Sequence, residues 1–185
     1  MTVHLILGGA RSGKSRLAER LAADSGLAVS VIVTAEALDA EMAERIARHR
    51  ADRPAHWRTV ERPRQLAQAL QHEATATRCV IVDCLSLWLT NLLTASPADM
   101  EDPPPPGLPP RVPQALEDER AELLAVLPRL PGEILLVSNE VGLGLVPDTP
   151  LGRLFRDEAG RCNQAVAALA DVVSFVAAGL PLRLK

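Results

Sequence analysis

At 185 residues and 48% hydrophobic, the chain is long enough to bury a central sheet beneath helices on both faces, most simply as one domain over residues 1–185. A net charge of −3 argues against a nucleic-acid binder, and no stretch approaches the roughly 20 apolar residues of a membrane span. Cys79, Cys84 and Cys162 are odd in number and lack metal-ligand spacing. They read as reduced thiols of a cytoplasmic protein, and a zinc site is not expected. The N-terminus carries no basic-then-apolar leader, because the first apolar run passes directly into a glycine-rich motif.

That first run, residues 3–7, predicts a buried strand, and residues 15–23 predict the helix that follows. Between them lies GGARSGKS, made of Gly8, Gly9, Ala10, Arg11, Ser12, Gly13, Lys14 and Ser15. It fits the phosphate-binding pattern G-x-x-x-x-G-K-[ST], with a strand before it and a helix after it. The glycines let the backbone turn several N–H groups inward at phosphate oxygens, and the helix adds its positive N-terminal end. Lys14 has the reach and charge for the β- and γ-phosphates, and the Ser15 hydroxyl can ligate Mg²⁺. Lys14 and the terminal Lys185 are the chain's only lysines among 20 basic residues, so the one internal lysine sits where this loop needs it.

A second strand is expected over residues 29–33, and a helix over 39–51. On that helix Leu38, Met42 and Ile46 form one stripe, and His49 falls on the same stripe with Arg45 one turn before it. The imidazole therefore faces inward, to core or to pocket. Arg45, Arg48, Arg50, Arg53 and Arg58 surround it and suit a polyanion, although a solvated face remains open for Arg48 and Arg50. Residues 64–71 predict a further helix, and residues 79–82 a buried strand ending in Asp83. In a phosphate-loop protein such an aspartate holds Mg²⁺ directly or through its water shell.

Residues 97–113 hold eight of the 15 prolines and no apolar periodicity, which predicts an extended surface loop. Helix 116–127 and strand 134–138 follow, the latter running into Ser138, Asn139 and Glu140, whose spacing fits equally a plain connecting turn and polar groups placed where open α/β sheets face their ligands. Residues 151–170 predict a long helix whose apolar positions recur at three and four, and 172–176 a last strand with a possible short return after Gly179. Strands alternating with helices predict a layered α/β fold with a mostly parallel sheet. His4, His56 and His72 lack the setting of His49 and are read as structural.

Taken together, five segments resemble the bifunctional adenosylcobinamide kinase / adenosylcobinamide-phosphate guanylyltransferase family of cobalamin biosynthesis. They are GGARSGKS, HRADRPAHWRTVE from His49 to Glu61, DCLSLWLTNLL from Asp83 to Leu93, SNEVGLGLVP from Ser138 to Pro147, and FRDEAGRCNQ from Phe155 to Gln164. The proline-rich insertion departs from the family pattern. The resemblance implies a three-layer P-loop NTPase fold of RecA type and a homotrimer. It implies phosphorylation of adenosylcobinamide by ATP or GTP with Mg²⁺. Transfer of GMP from GTP to adenosylcobinamide phosphate would follow, by way of a guanylylated histidine. His49 matches that histidine, and its neighbour Arg48 leaves no adjacent histidine to compete. By the same matching Lys14 and Asp83 are catalytic, and Ser15 and Asp83 hold the metal. The nucleotide would contact residues 8–15, Val33, Thr34, Ala35, Arg50, Ala51, Asp52, Arg53, Glu61 and Asp83.

The chemistry suits these residue types. A neutral imidazole is a nucleophile near physiological pH and a good leaving group from phosphorus, so it divides one difficult transfer into two easier ones. Two other classes use the same loop. A plain small-molecule kinase would need Lys14, Ser15 and Asp83 but not His49, and a noncatalytic nucleotide-binding or motor subunit would use the loop to switch conformation.

Overall fold

The computed structural model describes residues 2–37, 39–51, 53–95 and 111–185, with the side chains of Glu41 and Arg45 left aside. Leu38, Asp52, the side chain of Arg45 and all but residues 111–113 of the proline-rich segment therefore lie outside the described residues.

Seven strands form one sheet: β1 (Thr2–Gly8), β2 (Ala28–Val33), β3 (Arg58–Glu61), β4 (Arg78–Asp83), β5 (Glu133–Asn139), β6 (Val172–Ala177) and β7 (Leu180–Arg183). Their order is β3-β2-β4-β5-β1-β6-β7, parallel throughout except for the antiparallel β6–β7 hairpin. Parallel neighbours need crossovers, which the helices supply. These are α1 (Lys14–Asp24), α2 (Ala40–Ala51), α3 (Leu66–Glu73), α4 (Leu85–Leu93), α5 (Gln114–Val126) and α6 (Pro150–Leu169).

Successive strand residues point to opposite faces, and both faces are apolar, as a sheet covered on both sides requires. Val3, Leu5, Leu7, Val80, Val82, Ile134 and Leu136 pack with Leu66, Leu70, Trp88, Leu89, Leu116, Leu123 and Cys162 from α3, α4, α5 and α6. On the other face Ile6, Val31, Val33, Ile81, Leu135 and Val137 pack with Leu17, Ala18 and Ala22 of α1 and with Trp57. Three layers result.

Two elements go beyond the sequence reading. The α4 segment, LSLWLTNLL, buries Leu85, Ser86, Trp88, Leu89, Asn91, Leu92 and Leu93, so it has no polar face and shows no amphipathic signal. The β3 strand has four residues at the sheet edge, with charged residues at both ends, too short and too polar for alternation to reveal it. The return strand after Gly179 is present as β7, with all four of its residues exposed.

Several buried polar groups away from the carboxyl edge of the sheet are paired. Glu73, 1% exposed, accepts from Ser30 Oγ at 2.8 Å and Arg78 at 3.0 Å, with Arg58 at 3.2 Å. Glu158, equally buried on α6, lies between Arg120 of α5 and Arg161. Glu119 ties three helices together, accepting from Trp88 Nε1 at 2.9 Å and from the Gln65 N–H at 2.7 Å. His4 Nε2 lies 2.9 Å from Ser174 Oγ, and burial holds its pKa below the usual imidazole value, with Arg183 adding to the effect. No helix among the described residues is long and apolar enough to cross a membrane.

Candidate nucleotide site

The parallel register brings the carboxyl ends of the strands level. Gly8 of β1 lies opposite Asn139 of β5, Asp83 of β4 opposite Val137, and Val33 of β2 opposite both Asp83 and Glu61 of β3. Open α/β sheets bind ligands outside this edge.

The glycine-rich loop leaves β1 there and ends at Gly13, whose φ of 100° is left-handed and caps α1. A Cβ on Gly13 would stand 3.1 Å from the Cα of Gly179, so a side chain there meets both strain and backbone. Lys14 is 7% exposed, and its Nζ donates to the Gly9 carbonyl at 2.7 Å, which folds the lysine back over the loop. Ser12 Oγ is buried with no hydrogen-bond partner among the described residues. An orphan hydroxyl in a loop at a helix N-terminus fits a ligand rich in acceptor oxygens.

Ser15 Oγ donates to Asp83 Oδ1 at 3.5 Å, and Arg53 donates to Asp83 Oδ2 at 3.0 Å. Arg53 is 9% exposed and also lies 3.9 Å from Glu19, while its Nε has no hydrogen-bond partner among the described residues. A hydroxyl and one carboxylate facing each other fit Mg²⁺, which takes one or two protein oxygens and completes its shell from phosphates and water. No cluster of three or more His, Cys, Asp or Glu side chains capable of holding a metal occurs among the described residues.

Ser15, Arg53 and Asp83 line one cleft with about 590 Å³ of empty space, open solvent included, together with Val33, Ala35, Met42, Ile46, His49, Arg50, Thr59, Glu61, Cys84 and Leu87. The inward stripe of α2 thus delivers His49 to the same space as Ser15 and Asp83. Arg50 reaches within 3.9 Å of Glu61 across the cleft, whereas Arg48 is exposed and pairs with Glu44 at 2.6 Å. Thr34 is fully buried and turned to other work. Its hydroxyl donates to the Cys84 carbonyl at 2.7 Å and accepts the Cys84 N–H at 2.9 Å. Its own carbonyl accepts from Asn91, which also reaches the Pro63 carbonyl at 3.0 Å. Ala51 is exposed and does not line the cleft, and Asp52 lies outside the described residues. His56 and His72 are exposed and lie away from the cleft.

Sequence reasoning missed the supports beneath this edge. Ser86 Oγ accepts the Asn139 N–H at 2.7 Å, and Ser138 Oγ donates to Asn163 Oδ1 at 2.7 Å. Asn163 in turn donates to the Asn139 carbonyl, and the Glu140 N–H donates to the Gly8 carbonyl at 3.0 Å. Isolated Ser and Asn residues carry no sequence signal for such a network, because their partners come from three different elements.

A phosphate loop at the carboxyl edge of a parallel sheet, facing a strand-end aspartate across a cleft, defines a P-loop enzyme that uses a nucleoside triphosphate. An ATPase from the type III secretion system of pathogenic bacteria shares the fold at a TM-score of 0.55 and 14% identity. The match spans 98% of this chain and 56% of that one, and at this identity the likeness is one of fold alone. Residues 4–184 match the family model described as cobinamide kinase / cobinamide phosphate guanyltransferase, and the chain belongs to that family. It is 59% identical over 181 residues to the bifunctional adenosylcobalamin biosynthesis protein CobP of Pseudomonas aeruginosa, covering 98% of this chain and 96% of that one. To the bifunctional adenosylcobalamin biosynthesis protein CobU of Escherichia coli it is 43% identical, covering 98% of each.

Proposed function

We propose that this one cleft serves both activities of the family, with His49 as the guanylyl carrier. The observation that carries the reading is the convergence of His49, Ser15 and Asp83 on a single cleft beside the phosphate loop. In the kinase step the hydroxyl oxygen of adenosylcobinamide attacks the γ-phosphorus of ATP or GTP and gives up its proton to solvent, the P–O bond to the β-phosphate breaks, and the nucleoside diphosphate leaves. In the guanylyl step an imidazole nitrogen of His49 attacks the α-phosphorus of GTP. A P–N bond forms, the P–O bond to the β-phosphate breaks, and pyrophosphate departs. A phosphate oxygen of adenosylcobinamide phosphate then attacks the same phosphorus, the P–N bond breaks, and adenosylcobinamide-GDP results.

Lys14 and the loop N–H groups offset the charge that develops on the phosphate oxygens, and Arg50 and Arg53 do so from the α2 side. Mg²⁺ would be held by Ser15 and Asp83 and would supply Lewis-acid polarisation of those oxygens when bound. Val33, Ala35, Met42, Ile46 and Leu87 give the cleft an apolar wall suited to the flat faces of a nucleobase. Residues 1–185 act as a single catalytic domain in this reading. The enzyme works in the cytoplasm, where ATP and GTP are plentiful and unpaired thiols stay reduced. It works as a homotrimer, for which sedimentation or light scattering of the purified protein is the test.

Incubation with GTP and Mg²⁺ followed by intact mass analysis should show one GMP bound per chain through an acid-labile bond. His49→Ala should abolish that adduct and the guanylyl transfer while phosphorylation of adenosylcobinamide continues at least in part, because that step needs no protein nucleophile. An adduct that survives in His49→Ala would move the nucleophile elsewhere. No adduct in the unaltered protein would leave a plain P-loop kinase.

A further inference from the structure

We infer that the tip of the C-terminal hairpin, Ala178 and Gly179, is a positioning element that sets the phosphate loop for nucleotide. The inference rests on the proposal that residues 8–15 cradle the triphosphate.

Three observations converge on this tip. The Gly179 N–H donates to the Ser12 carbonyl at 2.8 Å, so a residue far away in sequence holds a peptide of the loop. Gly13 and Gly179 are in contact, since a Cβ on Gly13 would stand 3.1 Å from Gly179 Cα. Ala178 and Gly179 both have left-handed backbones, with φ of 50° and 81°. Few residues adopt two such conformations in succession, and here they turn the chain so that the second N–H faces the loop.

The geometry has a direct consequence for the ligand. In a trans peptide the C=O and the following N–H point in opposite directions. Pinning the Ser12 carbonyl outward on Gly179 therefore aims the Gly13 N–H away from the hairpin, to the side left for phosphate. Unpinned, the Ser12–Gly13 peptide is free to rotate between glycine-permitted conformations, and the donor is lost to the cradle for part of the time. The bond thus acts as preorganisation, which contributes to affinity by lowering the ordering cost of binding.

Gly179 allows a clean test, because a Cβ built on it meets nothing within 4 Å. Side chains fit there, and only the left-handed φ discriminates among them. Asn tolerates that φ best among non-glycine residues, Ala less well, and a β-branched Val worst. The KM for nucleotide should therefore rise in the order Gly ≈ Asn < Ala < Val. The Gly179→Val value should be raised about tenfold, the loss of one charge-assisted hydrogen bond. The KM for adenosylcobinamide should change little across the series, whereas the melting temperature should fall by several degrees in Gly179→Val, where the backbone strain is greatest.

A flat series, or one ordered by side-chain size with Ala before Asn, would overturn the inference. If Gly179→Val does not fold, Gly179→Ala against Gly179→Asn decides by the same ordering, since Asn is the larger residue. Lys14→Ala is measured alongside. Nucleotide affinity undiminished in that variant would overturn the phosphate-cradle reading and the inference with it. Affinity lost in Lys14→Ala but unchanged across the Gly179 series would overturn the inference alone.

Discussion

Asp83 is the residue on which most of the site's charge turns. Its two oxygens are engaged by Ser15 at 3.5 Å and Arg53 at 3.0 Å, so one carboxylate both faces the Ser15 hydroxyl and neutralises a nearly buried guanidinium. Asp83→Asn keeps an acceptor for Arg53 but removes the charge that attracts a hard cation. The Mg²⁺ concentration for half-maximal activity should rise about tenfold or more, and the melting temperature should fall because Arg53 loses its counter-charge. An unchanged Mg²⁺ titration would reduce Asp83 to an ion-pair partner. Cys84, next in the chain, lines the same cleft, and burial together with the Asp83 carboxylate pushes its thiol above the usual range. Burial likewise takes Cys79 to about 12 and Cys162 to about 11. A raised pKa leaves the thiol protonated at pH 8, and the thiolate is the reactive form. Iodoacetamide at pH 8 should therefore modify none of the three in the native protein within the time that modifies all three in denaturant. Rapid native labelling of one cysteine would show that it is more open or more acidic than its surroundings dictate.

At the scale of elements, α6 shows how a local signal and a tertiary role combine. Thr149 is its N-cap, accepting the Gly152 N–H at 3.1 Å, and Pro150 occupies the first helical position, where a missing N–H costs nothing. The helix then places Asn163 beneath Ser138 and Asn139, at the end of β5 and beside the phosphate loop. Thr149→Ala should destabilise the protein by about 1 kcal/mol. For a chain of this size that lowers the melting temperature by about 2–4 °C. Nucleotide affinity should stay unchanged, because Asn163 lies near the far end of the helix and is held by its own bonds. A loss of affinity larger than the loss of stability would mean that the cap sets the site itself. In contrast to α6, α4 has no capping side chain and no polar face, and its position depends on packing and on Asn91 and Ser86.

Across the whole molecule, the strands aligned at their carboxyl ends gather into one cleft residues from distant parts of the chain, among them Ser15 and Asp83, 68 positions apart. A ligand that binds only this assembled edge must stabilise the entire fold. At a nucleotide concentration 100 times its dissociation constant the gain is about 2.7 kcal/mol. Thermal unfolding with GTP and Mg²⁺ should accordingly shift upward by several degrees. The shift should vanish in Lys14→Ala, which is expected to melt near the unaltered protein when no nucleotide is present and to lose turnover. A full shift in Lys14→Ala would displace the phosphate cradle from residues 8–15.

The sequence by itself determined whatever is written in contiguous residues. The phosphate loop, the apolar strand ending at Asp83 and the inward phase of His49 depend only on local spacing, because backbone geometry ties a periodicity of two or 3.6 to a face. The tertiary structure alone decided what lies between distant segments. It decided that β3 joins the sheet edge, that an all-apolar run becomes the buried helix α4, that Arg53 sits on Asp83, and that Thr34 is spent on the Cys84 backbone. It also brought the turn at Gly179 against a loop more than 160 residues earlier. Such pairings have no local signature, since a hydrogen bond or an ion pair depends on where two atoms finish in space and not on the residues beside them in the chain.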